Sequence, residues 1–234
     1  MTATASDGTD TAIAADTLSV TVDAVADAPV LTVTNTSGAE DTRIALDVTA
    51  TSPDTVSVTF AGVPDGAVLS AGIDNGDGTW TVDAGDLAGL TLTPPADYSG
   101  TLNLFAVATA TDGSESATTS EAFSVTVTPV ADAPTLSAAD VTGAEDTAIA
   151  LDIDTAVTDG SEVLSITIGN IPDGAVLNAG TVNPDGTVTL TPTELTGLTI
   201  TPPADFSGSF DLSITSTSTD GTDTATVSDT FGVT

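Results

Sequence analysis

The strongest constraint on this chain is that it contains itself twice. Ala26-Asp27-Ala28-Pro29 returns as Ala131-Asp132-Ala133-Pro134, and Gly38-Ala39-Glu40-Asp41-Thr42 returns as Gly143-Ala144-Glu145-Asp146-Thr147, each 105 positions later. Further on the spacing becomes 108: Pro64-Asp65-Gly66-Ala67-Val68-Leu69 matches Pro172-Asp173-Gly174-Ala175-Val176-Leu177, and Thr93-Pro94-Pro95-Ala96-Asp97 matches Thr201-Pro202-Pro203-Ala204-Asp205. The second copy therefore carries three extra residues between Glu145 and Pro172. A period of about 100 residues is too long for one turn of a solenoid and suits one small all-β domain per copy. Residues 2–22 align with the end of a copy, Asp7-Gly8 with Asp112-Gly113 and Leu18 with Phe123. The expected organisation is thus the last loop and C-terminal strand of a preceding repeat over residues 1–25, a first repeat over 26–130 and a second over 131–234. On this reading Met1 is an added start on a fragment.

Within each copy apolar and polar residues alternate, as in Leu18-Ser19-Val20-Thr21-Val22, Leu90-Thr91-Leu92-Thr93 and Ser124-Val125-Thr126-Val127-Thr128. Period-2 alternation rich in Val and Thr marks half-buried strands. Strands are expected near 30–36, 43–50, 55–61, 66–70, 79–83, 89–93, 101–110 and 120–129. Turns fall at Pro64-Asp65-Gly66, Asn75-Gly76-Asp77-Gly78 and Pro94-Pro95. Seven or eight short strands at this spacing describe an immunoglobulin-like β-sandwich. Leu102, Leu104 and Ala106, aligned with Phe210, Leu212 and Ile214, are expected to face inward, leaving Phe105 and Val107 outside.

Charge narrows the partners. Thirty-four acidic residues stand against one base, Arg43, for a formal net charge of −33, and Lys, His and Cys are absent. Nucleic acid and anionic membrane surfaces require Lys or Arg to neutralise phosphate and are excluded; divalent cations are the natural counterparts. No apolar run reaches the length of a membrane span, so no direct membrane insertion is expected. Only 3% of residues are aromatic, so the cores must be built from Val, Leu, Ile and Ala and are thin for domains of this size. Without Cys no disulfide can reinforce them, which leaves bound metal as the leading support.

Val25-Ala26-Asp27-Ala28-Pro29, Gly38-Ala39-Glu40-Asp41-Thr42, Pro94-Pro95-Ala96-Asp97-Tyr98-Ser99-Gly100, Thr111-Asp112-Gly113 and Asp159-Gly160-Ser161-Glu162 together resemble the tandem immunoglobulin-like or cadherin-like repeats of giant bacterial adhesins. These are the repeats-in-toxin and biofilm-associated surface proteins exported by type I secretion. The resemblance covers essentially the whole chain, twice in the same motif order. It implies an extracellular, cell-surface location, a monomer whose partners are calcium ions and the neighbouring repeats of the same polypeptide, and a role in holding an adhesive tip away from the cell. It also implies that Ca2+ is shared between successive repeats by Asp132 in the linker, Glu40 and Asp97 below it, and Asp159 and Asp220 above it, with Asp27 and Asp112 as counterparts one joint earlier. Calcium takes six to eight oxygen ligands and tolerates irregular geometry, which a convergence of carboxylates supplies. The first repeat departs from the pattern: Ser52-Pro53-Asp54-Thr55 stands where the second has Asp159-Gly160-Ser161-Glu162. Asp65, Asp77, Asp173 and Asp185 are expected to be turn residues rather than ligands.

Catalysis has little to build on. General-base His, nucleophilic Cys and Schiff-base Lys are absent, and there is no Gly-x-Ser-x-Gly elbow or phosphate-binding glycine pattern. The alternative to a spacer is a ligand-binding module, for carbohydrate or protein, centred near Trp80. Trp80 and Tyr98 have Val188 and Phe206 in their places in the second repeat.

Overall fold

The computed structural model describes residues 1–234. Two all-β sandwiches follow one another along the chain, each built as immunoglobulin-like sandwiches are, from two facing sheets of short strands. In the first, one sheet has six strands in the order Thr36–Ala39, Glu115–Thr128, Gly100–Asp112, Thr55–Ala61, Thr79–Asp83, Ile73–Asp74. Opposite it lie Ile44–Ala45, Thr91–Thr93 and Val68–Leu69, together with the pair Val30–Val33 and Val48–Thr51. The second sandwich repeats the plan: Thr181–Val182, Val188–Leu190, Val163–Gly169, Phe210–Asp220 and Asp223–Val233 form one sheet. Ile149–Ala150, Thr199–Thr201 and Val176–Leu177, with the pair Thr135–Ala139 and Asp152–Ala156, form the other.

Alternation decides which side chains meet. Along Thr55–Ala61 the residues Val56, Val58 and Phe60 are buried while Thr55 is exposed and Ser57 and Thr59 half-buried. On the facing register Leu104 pairs with Phe123, and the Phe60 and Phe123 rings meet edge to face at 6.3 Å and 76°, the preferred aromatic geometry. Leu102, Leu104 and Ala106 are buried as the pattern requires, and Phe105 is exposed. Twenty-three buried residues form one apolar cluster in the first sandwich, whereas only eleven form the second. In the second, Ser216 and Ser218 are buried at positions where the first sandwich has Ala108 and Ala110. The thinner core is therefore the more polar one, at the end next to the linker.

Several boundaries differ from the sequence expectation. The run 30–36 breaks into Val30–Val33 and Thr36–Ala39, which belong to different sheets. Asn35, at the crossing, accepts the Ser124 N–H on its Oδ1 at 2.9 Å, giving the ladder a partner where the strand departs. The run 43–50 likewise splits at Leu46-Asp47. The two late strands extend further than expected, to Asp112 and back from Glu115, because the hairpin keeps a continuous register down to its turn. Residues 1–25 hold a hairpin of Thr2–Ser6 with Thr11–Ala15, exposed throughout. The expected strand at Leu18–Val22 does not form, since alternation alone supplies no hydrogen-bonding neighbour.

Candidate metal centre between the two sandwiches

The linker crosses from one sandwich to the next with its backbone pinned by acidic side chains from both sides. From below, Glu40 accepts the Val130 N–H on Oε1 at 2.6 Å. From above, Asp223 accepts the Ala131 N–H on Oδ2 at 3.1 Å, Glu162 Oε1 accepts the Asp132 N–H, and Ser218 Oγ donates to the Asp132 carbonyl. Gly221 lies against Pro129 so closely that a Cβ there would stand 3.0 Å from the ring. These contacts bring two clusters of carboxylates together. Glu40, Asp159 and Asp220 present oxygens within 4.8 Å of one another, all three residues buried; Asp41, Asp97 and Asp132 do the same at the rim.

Local conformation explains how the lower wall is built. Asp41 and Asp97 both adopt left-handed backbone, φ 55° each, a region that Asp tolerates better than most residues. The Asp97 N–H donates to Asp41 Oδ1 at 3.2 Å, locking the two turns together. Glu40 itself is fixed by its own N–H bonding to the Thr128 carbonyl at 3.0 Å, which extends the parallel pairing of Thr36–Ala39 with the final strand.

Electrostatics mark the buried cluster as unfinished. Glu40, 3% exposed, holds its carboxyl above the usual range, first because burial strips its water and then because Asp220 and Asp159 stand beside it; the Val130 N–H opposes the shift. Asp97 is also raised, by desolvation and then by Asp159, Asp41 and Asp132, so Asp159 acts on both clusters. Three buried oxygens, Glu40 Oε2, Glu162 Oε2 and Asp220 Oδ2, have no hydrogen-bond partner. Buried polar atoms are ordinarily satisfied, and unsatisfied charged oxygens are costly. A divalent cation would answer all of these features together, and the donor set, all oxygen and largely carboxylate, is of the kind calcium prefers.

An internal control is present. Asp7-Gly8-Thr9-Asp10-Thr11-Ala12 and Asp220-Gly221-Thr222-Asp223-Thr224-Ala225 are identical in sequence. Away from the joint, Asp7 turns its Oδ1 onto the N–H groups of Thr9 and Asp10, at 3.1 and 2.9 Å. At the joint, Asp220 leaves an oxygen unpaired beside Glu40 and Asp159 instead.

Of the sequence candidates, Glu40, Asp159 and Asp220 come together, as do Asp97 and Asp132, while Asp27 and Asp112 stand in neither cluster. The Asp27 N–H bonds to Asp54 Oδ2 at 2.7 Å, a smaller version of the Glu162 contact, and Asp112 is exposed at its hairpin. Asp41, Glu162, Asp223 and Ser218 were not singled out in the sequence, although Asp41 lies inside a recurring acidic motif and Glu162 inside the acidic loop of the second repeat. Asp77 and Asp185 close their own turns by accepting the N–H and Oγ1 of Thr79 and Thr187. Trp80 pairs with Phe60, on the inward face of its strand, and packs half-buried against the core. The cleft beside it, bounded by Val63, Pro64 and Asp74, holds only about 120 Å³.

No family model matches the chain, and no curated protein does either. Among solved structures, Drosophila N-cadherin EC1-4 aligns over 88% of this chain and 49% of its own at 14% identity and a TM-score of 0.38. The titin domains z1z2 in complex with telethonin align over 91% and 98% at 12% identity and 0.32. An endo-fucoidan hydrolase of glycoside hydrolase family 107 aligns over 100% of this chain and 33% of its own at 18% and 0.31. Values this low say nothing about shared activity.

Proposed function

We propose that the chain is a structural extender segment of a secreted bacterial surface adhesin, its successive sandwiches stiffened by calcium at the linker so that an adhesive tip is held away from the cell. The observation that carries this reading is the set of unpartnered, buried carboxylate oxygens contributed by both sandwiches to one joint. Glu40, Asp159 and Asp220 would hold the inner ion, with Asp41, Asp97 and Asp132 lining its outer side. When bound, the ion supplies positive charge that turns mutual repulsion into attraction between the two walls. The residues themselves do the positioning: Glu40 and Asp223 grip the linker peptides from opposite sandwiches, and Glu162 with Ser218 holds both polar groups of Asp132.

Small-angle scattering tests the idea through Asp132→Ala. That change removes no core contact and keeps the backbone bonds of residue 132, so each sandwich is expected to stay folded while the angle between them is freed. In calcium the variant should match the wild type in chelator, with a broader distance distribution and a shorter mean length. Asp185→Ala, confined to a turn, is the control and should change neither. A variant that keeps the wild-type profile in calcium refutes the shared-ion strut.

A further inference from the structure

One rung of the sheet has lost both its aromatic rings between the first sandwich and the second. Trp80 pairs with Phe60 in the first, and the same rung 108 positions later joins Val188 to Ile168. The neighbour on the other side changes as well: Trp80 pairs with Asp74, Val188 with Val182. One substitution removes bulk and the other removes a charge from the edge of the same cleft.

The consequence can be read residue against residue. Val63, Ala67 and Leu69 are buried in the apolar cluster that Trp80 packs against. Their counterparts Ile171, Ala175 and Leu177 are only partly buried. The cleft beside Trp80 holds about 120 Å³, whereas the matching cleft over Val188 holds about 320 Å³. Ile171, Ala175, Leu177, Ala179 and Val188 wall it, and it opens beside Val176 and Val182, which are 62% and 73% exposed. The first sandwich has another joined beyond it, and its cleft is still lined only by residues between Val63 and Trp80. The site is therefore a property of a single sandwich, separate from the carboxylates of the joint.

We propose that this pocket binds a small aromatic molecule of indole size, neutral or cationic, which occupies in the second sandwich the place that the Trp80 side chain occupies in the first. Apolar cavities of about 150 Å³ stay dry and take up a benzene-sized ring, and small-molecule sites begin at roughly 300 Å³. The ring would complete the burial of Ile171, Ala175 and Leu177, and removal of that apolar surface from water is the driving force. Charge selects the substituent. Asp173 stands on the pocket wall, in a turn closed by the backbone, the Ala175 N–H donating to the Pro172 carbonyl at 2.9 Å. Its carboxylate and the formal net charge of −33 disfavour an anion and favour an ammonium. An arylalkylamine such as tryptamine, ring inside and ammonium towards Asp173, meets both demands.

Titration of indole into the isotope-labelled chain of residues 1–234, followed by the backbone amide signals, tests this. Saturable shifts should appear within residues 171–188 and not at the matching residues 63–80. Tryptamine should bind at least as tightly as indole, and indolepropionate several-fold more weakly. Val188→Trp restores the residue of the first sandwich and should abolish the shifts while the rest of the spectrum stays folded. Val182→Asp, at an exposed position, restores the charge of Asp74 without touching the core and should weaken indole several-fold, so the test stands even where Val188→Trp does not fold. Absence of saturable shifts at 171–188, or wild-type affinity for indole in either folded variant, overturns the proposal. Equal affinity for tryptamine and indolepropionate overturns the charge selection.

Discussion

Glu40→Gln separates a cation ligand from an ordinary hydrogen-bond acceptor, because its effect should change sign with calcium. Gln keeps the shape and an oxygen for the Val130 N–H, so the linker contact at 2.6 Å survives. What disappears is one of three buried charges whose oxygens lie within 4.8 Å. At an effective dielectric of about 20, each like-charged pair at that separation repels by about 3 kcal/mol. Proton uptake and opening of the joint absorb part of this, leaving about 1–3 kcal/mol of relief in chelator, or roughly 5–14 °C in melting temperature for a domain of this size. In calcium the same change should cost stability. An ion held only by the folded state contributes about 2.7 kcal/mol at a hundredfold excess over Kd, and the loss of a buried carboxylate ligand removes much of it. Calorimetry in calcium and in chelator reads both arms. The pH dependence supplies a second check. Because the folded carboxyl of Glu40 is raised, chiefly by desolvation and then by Asp220 and Asp159, its contribution is fully present below the ordinary value of 4.5 and is lost as pH rises through the folded one. Wild type in chelator should therefore melt progressively lower from mildly acidic pH to neutrality, and the Gln variant should lack that slope. Destabilisation of equal size in calcium and chelator would refute the reasoning and reduce Glu40 to a linker contact.

Millimolar calcium should raise the wild-type melting temperature by several degrees and magnesium by much less, since magnesium dehydrates reluctantly and demands a strict octahedron; equal curves in calcium, magnesium and chelator would count against any ion at the joint. Trp80 should fluoresce at blue-shifted wavelength and resist aqueous quenchers, as its inward position against Phe60 requires; red-shifted, readily quenched emission would put the ring in solvent and revive a ligand surface there.

The alternation of Val and Thr made the sheets legible, because one buried face forces a period of two and a slip of one residue would expose it. Val56, Val58 and Phe60 fell inward for that reason. What alternation does not encode is the partner. Leu18–Val22 has the pattern of Ser124–Thr128 and no strand beside it, and 30–36 changes sheets at Asn35 although its pattern does not change. At the joint, the resemblance to tandem adhesin repeats implied Glu40, Asp97, Asp132, Asp159 and Asp220, whose motifs lie far apart in sequence. The grouping into an inner and a rim cluster, and the parts of Asp41, Glu162 and Ser218, depend on left-handed turns and on linker hydrogen bonds that arise only once two sandwiches meet. Asp27 shares its motif with Asp132, yet its surroundings differ because the segment before the strand Thr55–Ala61 offers Asp54 alone, where the one before Val163–Gly169 offers both Asp159 and Glu162.

The parallel pairing of Thr36–Ala39 with Val125–Thr128 governs how the first sandwich answers mechanical load. Tension entering before Val30 and leaving through the linker pulls these neighbouring strands past each other along their length. Their hydrogen bonds, continued by the Glu40 N–H on the Thr128 carbonyl, are then strained together in shear and must rupture at once. A hairpin pulled from its open end yields one rung at a time. The first sandwich thus resists stretching most strongly at the strand that feeds the linker.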